Sequence, residues 1–98
     1  MTPSSAVASC LLLALSGFAV AADRHTLTIA ATCMSCHGPD GRSLGEIPRL
    51  DGLSRTEFVT ALRDFRSGAR RATIMQRQAS GYTDAEIDAL GDYFATLK

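Results

Sequence analysis

Hydrophobic and polar positions divide the chain into stretches of different character. From Thr2 to Ala22 there is no charged side chain, and Leu11 to Val20 forms an apolar run that ends in Ala19-Val20-Ala21-Ala22, just before Asp23 and Arg24. Beyond that point the apolar residues are spaced. Leu27, Ile29, Ala30 and Ala31 give a short helical pattern that begins near Thr26 and runs into Cys33 and Cys36. The period is lost between Gly38 and Leu53, where Gly38-Pro39-Asp40-Gly41, Gly45, Pro48 and Gly52 signal turns, with Leu44, Ile47, Leu50 and Leu53 isolated among them. This predicts a loop that packs against something. Ser54 and Glu57 form a capping box, Phe58, Leu62 and Phe65 follow at helical spacing, and Gly68 supplies a stop. Thr83 and Glu86 repeat the box ahead of Ile87, Leu90, Phe94 and Leu97, which predicts a last helix from about Asp84 to Lys98. A short segment, Arg70 to Ser80, lies between these helices and contains Met75. With no alternating pattern that would make a strand, the prediction is an all-α domain of about three to four helices.

The uncharged start changes the domain count. An apolar run of roughly ten residues is short for a membrane span but has the length of a secretory h-region, and the small residues resemble an A-x-A cleavage site. Residues 1–22 are therefore expected to be a removed signal peptide and 23–98 the working domain, exported to the periplasm. The n-region has no Lys or Arg, and the alternatives are a retained anchor, in which case the chain would meet a membrane, and a core helix. Val7-Ala8-Ser9-Cys10 resembles a lipoprotein site, but the apolar run follows the cysteine instead of preceding it. About 76 residues after the leader is a size at which burial barely offsets chain entropy, so a further staple is expected. Cys33 and Cys36 are too close in sequence to restrain much chain as a disulfide, which points to a metal or cofactor.

Cys33-Met34-Ser35-Cys36-His37 has the spacing of a c-type haem attachment site. Two thiols about one helical turn apart can add to the two vinyl groups on one edge of the porphyrin, while the next residue brings an imidazole to the iron. The same residues have other readings. A thioredoxin-like pair calls for a βαβ setting, a zinc site for two more ligands where only His25 remains, and a plain disulfide is open to any exported protein.

A second axial ligand is found by elimination. Met34 sits between the attachment cysteines on the proximal side, which leaves Met75 to close the distal face, with His25 as competitor and an ordinary core methionine as the alternative. A ligating imidazole also needs an acceptor for its other ring nitrogen, and a backbone carbonyl in Ile47-Pro48-Arg49-Leu50 could serve. An ordinary turn proline accounts for Pro48 equally well. Phe58, Phe65, Tyr82, Tyr93 and Phe94 read as core around the ring.

Cys33-Met34-Ser35-Cys36-His37-Gly38 together with Pro48 and Met75 resembles the small class I cytochromes c across almost the whole of 23–98. Phe65-Arg66-Ser67-Gly68, Thr73-Ile74-Met75, Gly81-Tyr82-Thr83 and Tyr93-Phe94 are similar to the haem subunits of flavocytochrome c sulfide dehydrogenases. The resemblance implies a class I fold wrapped around one covalently attached haem c, with Cys33 and Cys36 carrying the haem, His37 and Met75 on the iron, and Pro48 supplying the carbonyl behind His37. It also implies a close crossing of the first and last helices, with Ala30 and Ala31 meeting the Gly91 to Phe94 region. Gln76 departs from the family, where a small residue commonly follows the distal ligand. One attachment motif leaves no place for a second haem.

An iron with both axial positions filled offers no substrate site, so the expected activity is outer-sphere electron transfer, not catalysis by this chain alone. The resemblance implies a flavin-containing, sulfide-oxidising partner. A free shuttle to a terminal oxidase or other respiratory partner is the alternative, as is a peroxidase or gas sensor in which Met75 is labile. Formal charge sums to zero, yet it is uneven: Arg42, Arg49, Arg55, Arg63, Arg66, Arg70, Arg71 and Arg77 crowd the middle, while Asp84, Glu86, Asp88 and Asp92 make the last helix acidic. Such a patch could steer an acidic redox protein or be an ordinary solvated surface. Low net charge and the lack of any reading motif exclude nucleic acid as a partner.

Overall fold

The computed structural model describes residues 22–97. Apart from Ala22, the expected leader lies outside the described residues. Among them are four α-helices and no strand: α1 (Arg24–His37), α2 (Arg55–Ser67), α3 (Ile74–Ser80) and α4 (Asp84–Ala95), with one 3-10 turn at Pro39–Gly41.

Local chemistry sets most of the ends. Asp23 caps α1 by accepting from the Thr26 N–H at 2.7 Å, which starts the helix at Arg24, before the apolar pattern begins. The helix then carries Cys33, Cys36 and His37 in its last turns. It stops at Gly38, whose φ of 88° is open to glycine, and an added Cβ there would meet the Arg42 and Ser43 backbone at 3.0 Å.

Both capping boxes form with both halves present. Ser54 Oγ accepts from the Glu57 N–H at 3.1 Å while Glu57 accepts from the Ser54 N–H at 3.0 Å; Thr83 and Glu86 pair in the same way at 3.1 and 2.9 Å. Gly68 ends α2 in the left-handed conformation. The last helix stops at Ala95, short of the expected Lys98. Thr96 turns its hydroxyl back onto the Tyr93 carbonyl at 2.6 Å, and the N–H groups of Thr96 and Leu97 reach carbonyls only three residues back.

The apolar faces meet in a core of Ala30, Phe58, Val59, Leu62, Ala79, Ile87, Leu90 and Phe94. Here α2 lies against both α3 and α4. Gly91 explains how closely α2 and α4 approach: a Cβ at this position would stand 2.5 Å from Val59 Cγ2. The expected approach of the first and last helices is seen at Ala30, which shares the core with Phe94. Ala30 is buried but Ala31 is exposed, and the bare face of Gly91 is turned to Val59 and Arg55 of α2. Between α1 and α4 a polar tie adds to the packing of Ala30 in the core, His25 Nε2 standing 2.6 Å from Glu86 Oε2. Ion pairs run along the outside of α2 and α4, joining Arg55 to Asp92 and Asp88, Arg63 to Asp88 and Asp84, and Arg66 to Asp84.

Candidate functional site

One cavity of about 620 Å³ opens between the end of α1, the loop before α2, one face of α2, and α3. That volume falls in the range of roughly 300–1,000 Å³ typical of small-molecule and cofactor sites. Its walls are mainly hydrocarbon, from Leu50, Leu53, Phe58, Ala61, Leu62 and Phe65, the last four lying on one stripe of α2 at helical spacing.

The five residues singled out in the sequence all line this cavity: Cys33, Cys36, His37, Pro48 and Met75. Cys33 and Cys36 are three positions apart on α1, which puts their sulfurs on the same side of the helix. The two are not joined as a disulfide. Burial pushes the Cys33 thiol above its ordinary pKa, and its Sγ lies 3.6 Å from the Ile29 carbonyl.

His37 is 8% exposed, and its Nδ1 lies 2.6 Å from the Pro48 carbonyl oxygen. A carbonyl can only accept, so Nδ1 carries a proton, and in the neutral ring that leaves the Nε2 lone pair for a metal. The positions of the alternatives are equally informative. Met34 is not among the cavity residues, whereas Met75 is, and His25 is engaged with Glu86 elsewhere. Among the described residues no three His, Cys, Asp or Glu side chains gather as a metal site.

Several cavity residues escaped the sequence reading. Arg49 and Arg70 bring cationic groups, and Glu57 a carboxylate, to a mainly apolar lining, and Arg70 lies 4.7 Å from the centre of the Phe65 ring. Arg49 adjoins Pro48, which was the available signal for it; Arg70 follows the Gly68 stop and had none. Thr56, Thr60 and Gln78 also face the cavity. The aromatic residues divide: Phe58, Phe65 and Tyr82 line it, while Tyr93 and Phe94 belong to the core behind. Gln76, which departs from the family pattern, does not line this cavity and lies in a second, more open pocket with Gly68 and Arg71.

These residues fit a haem. The apolar walls suit a porphyrin face, the paired thiols suit its vinyl edge, and the Nε2 lone pair suits its iron.

Comparison with known proteins agrees. Residues 22–98 match the family described as Cytochrome c. The cytochrome subunit of sulfide dehydrogenase from Chlorobaculum tepidum is 44% identical over 69 residues, covering 70% of this chain and 63% of that protein. Cytochrome c-553 of Helicobacter pylori is 38% identical over 72 residues, 71% of this chain and 75% of its own length. The thiosulfate dehydrogenase electron acceptor of Thiomonas intermedia is 37% identical over 71 residues, 70% of this chain but 33% of the longer protein. The chain thus spans less than two thirds of the sulfide dehydrogenase subunit it resembles. On the attachment motif, the all-helical fold and these matches together, the chain belongs to the cytochrome c family, class I, whose members hold an iron-bearing haem c covalently.

Proposed function

We propose that this protein is an exported electron carrier in which Cys33 and Cys36 form the thioethers and His37 and Met75 ligate the iron. The observation that carries the reading is the convergence of these four side chains on one apolar cavity, with His37 Nδ1 taken up by Pro48 so that Nε2 is left for the metal. The haem supplies a one-electron couple between ferric and ferrous iron. The chain's own residues supply the setting: apolar walls that exclude water and keep reorganisation small, a thioether that favours the reduced state, and Arg70 as a cation suited to a carboxylate substituent. Residues 23–98 act as one monohaem domain after removal of the leader, in the periplasm.

For a partner, the 44% identity to a sulfide dehydrogenase cytochrome subunit supports a flavin-containing, sulfide-oxidising protein as donor, with this chain as the electron-accepting, non-catalytic subunit. A free shuttle is the second reading, supported by the likeness to cytochrome c-553. Of the arginines crowded in the middle of the sequence, Arg55, Arg63 and Arg66 pair with α4 and Arg49 with Asp51. Arg70, Arg71 and Arg77 have no carboxylate at ion-pair distance among the described residues; Arg70 lines the cavity, while Arg71 and Arg77 are exposed, three positions before and after the exposed Ile74. The exposed Arg71 and Arg77 suit an acidic redox partner.

An absorption spectrum of the protein, with and without Met75→Ala, tests the ligation. Sharp low-spin bands, haem that resists acid-acetone extraction, and loss of the far-red methionine band in the variant are expected. Ready carbon monoxide binding by the unmutated protein would favour a peroxidase or gas sensor. Co-purification with a flavin-containing subunit decides between the two electron-transfer readings.

A further inference from the structure

The Pro48 carbonyl receives the His37 N–H, yet no regular element holds it. Ile47, Pro48 and Arg49 are exposed, and a proline has no N–H through which to be anchored. What fixes this stretch is a single buried carboxylate. Asp51 is 7% exposed among largely exposed neighbours, a placement that an acidic side chain adopts only when it is paired. Arg49 meets it as a fork, donating from Nε to Oδ1 at 2.8 Å and from Nη2 to Oδ2 at 2.6 Å. The same carboxylate has Arg42 Nε at 3.8 Å, and the neck of the loop closes where Leu50 N–H donates to the Gly41 carbonyl at 2.8 Å. Gly41 has to be glycine at this neck, with φ at 72° and an added Cβ only 2.9 Å from Leu50 Cβ.

We propose that Asp51 is a positioning residue for the His37 imidazole, acting through Arg49 and the peptide that joins Pro48 to Arg49. The oxygen that accepts from His37 belongs to the same peptide plane as the Arg49 nitrogen. Clamping Arg49 to Asp51 therefore restrains the rotation of that plane and keeps the acceptor on Nδ1. A steady acceptor makes Nε2 a stronger donor to oxidised iron, which holds the reduction potential down. The fork holds Asp51 below the usual carboxylate range, so the clamp persists through mildly acidic conditions. This proposal rests on the reading of His37 as an iron ligand.

The decisive variant is Arg49→Lys in the haem-loaded protein, because it keeps the positive charge and removes the fork. Asp51→Asn is its companion. The readouts are the midpoint potential from redox titration and, by NMR, the solvent exchange rate of the His37 Nδ1 proton. Both variants are expected to shift the potential upward and to speed that exchange several-fold, and the double variant should exceed neither by much, since they break one unit. Wild-type values of both readouts in Arg49→Lys overturn the proposal, and a shift of potential alone in Asp51→Asn then assigns the effect to charge acting through space. Should Asp51→Asn fail to fold, Arg49→Lys with an unchanged melting temperature still decides. A His37 Nδ1 proton with no iron-induced shift in the wild-type protein would instead overturn the ligand reading itself, and this proposal with it.

Discussion

The rings of Phe58 and Phe94 stack with centroids 5.1 Å apart and planes 19° from parallel, and Phe58 also lines the cavity. A single side chain of α2 thus belongs to both the helix core and the cofactor wall. Phe94 belongs to the core alone, fully buried and in edge contact with Tyr93 at 5.4 Å. Truncation to leucine should separate the two roles. Both Phe58→Leu and Phe94→Leu should lower stability in denaturant titrations, by about 1–3 kcal/mol for such a loss of packed volume. Only Phe58→Leu should also alter the haem absorption bands.

Gly91 is the second test of packing. An alanine there drives its Cβ into Val59 Cγ2, on a β-branched side chain with few rotamers to escape into. Gly91→Ala should cost about 1–3 kcal/mol, the usual scale of overpacking. Val59→Ala makes room, so the double variant should lose less than the sum of the singles, and urea melts of all three measure that coupling.

Acid should weaken the fold in a definite direction. Hydrogen bonding to Arg66 lowers the pKa of Asp84, and the Thr83 N–H followed by His25 lowers that of Glu86. A carboxyl depressed in the folded state contributes stability above its unfolded value and loses it as pH falls through the folded one. The melting temperature should therefore hold near neutrality and decline below the ordinary carboxyl values of 4.5 for Glu86 and 3.8 for Asp84. Asp84→Asn should flatten the lower part of that decline. An acid limb identical to wild type would show that the Asp84–Arg66 pair contributes nothing.

The exposed Arg71 and Arg77, three positions either side of Ile74, predict a salt signature. Oxidation of the reduced protein by ferricyanide, an anion, should slow as ionic strength rises, because screening removes the attraction within about 10 Å at 0.1 M salt. Reversing charge with Arg71→Glu and Arg77→Glu should abolish or invert that dependence. Arg63→Glu, on the paired α2–α4 surface, should change it much less. Stopped-flow traces over a range of salt concentrations make the comparison.

The parts of the fold that were legible in the sequence are those set by near neighbours. Ser54 with Glu57, Thr83 with Glu86 and Gly68 fixed helix ends because capping is chemistry within one turn, and the stripe of Phe58, Leu62 and Phe65 placed the buried face of α2 for the same reason. The α1 start was misplaced because Asp23 acts as a cap outside the apolar pattern. The α4 end was misplaced because a hydroxyl at Thr96 competes for the Tyr93 carbonyl.

For the cofactor site the division follows the same physics. Local sequence determined the attachment motif, since Cys33, Cys36 and His37 need only one helix to be brought together, and it narrowed the distal candidates to Met75 by the scarcity of thioethers. Only the tertiary structure decided that Met75 shares their cavity, that Pro48 O lies 2.6 Å from His37 Nδ1, that Asp51 clamps Arg49 beside it, and which arginines are cancelled by α4. Those relationships join residues on different elements or across an irregular loop. Their distances are set by how helices pack and where turns close, which the order of side chains along one segment does not specify.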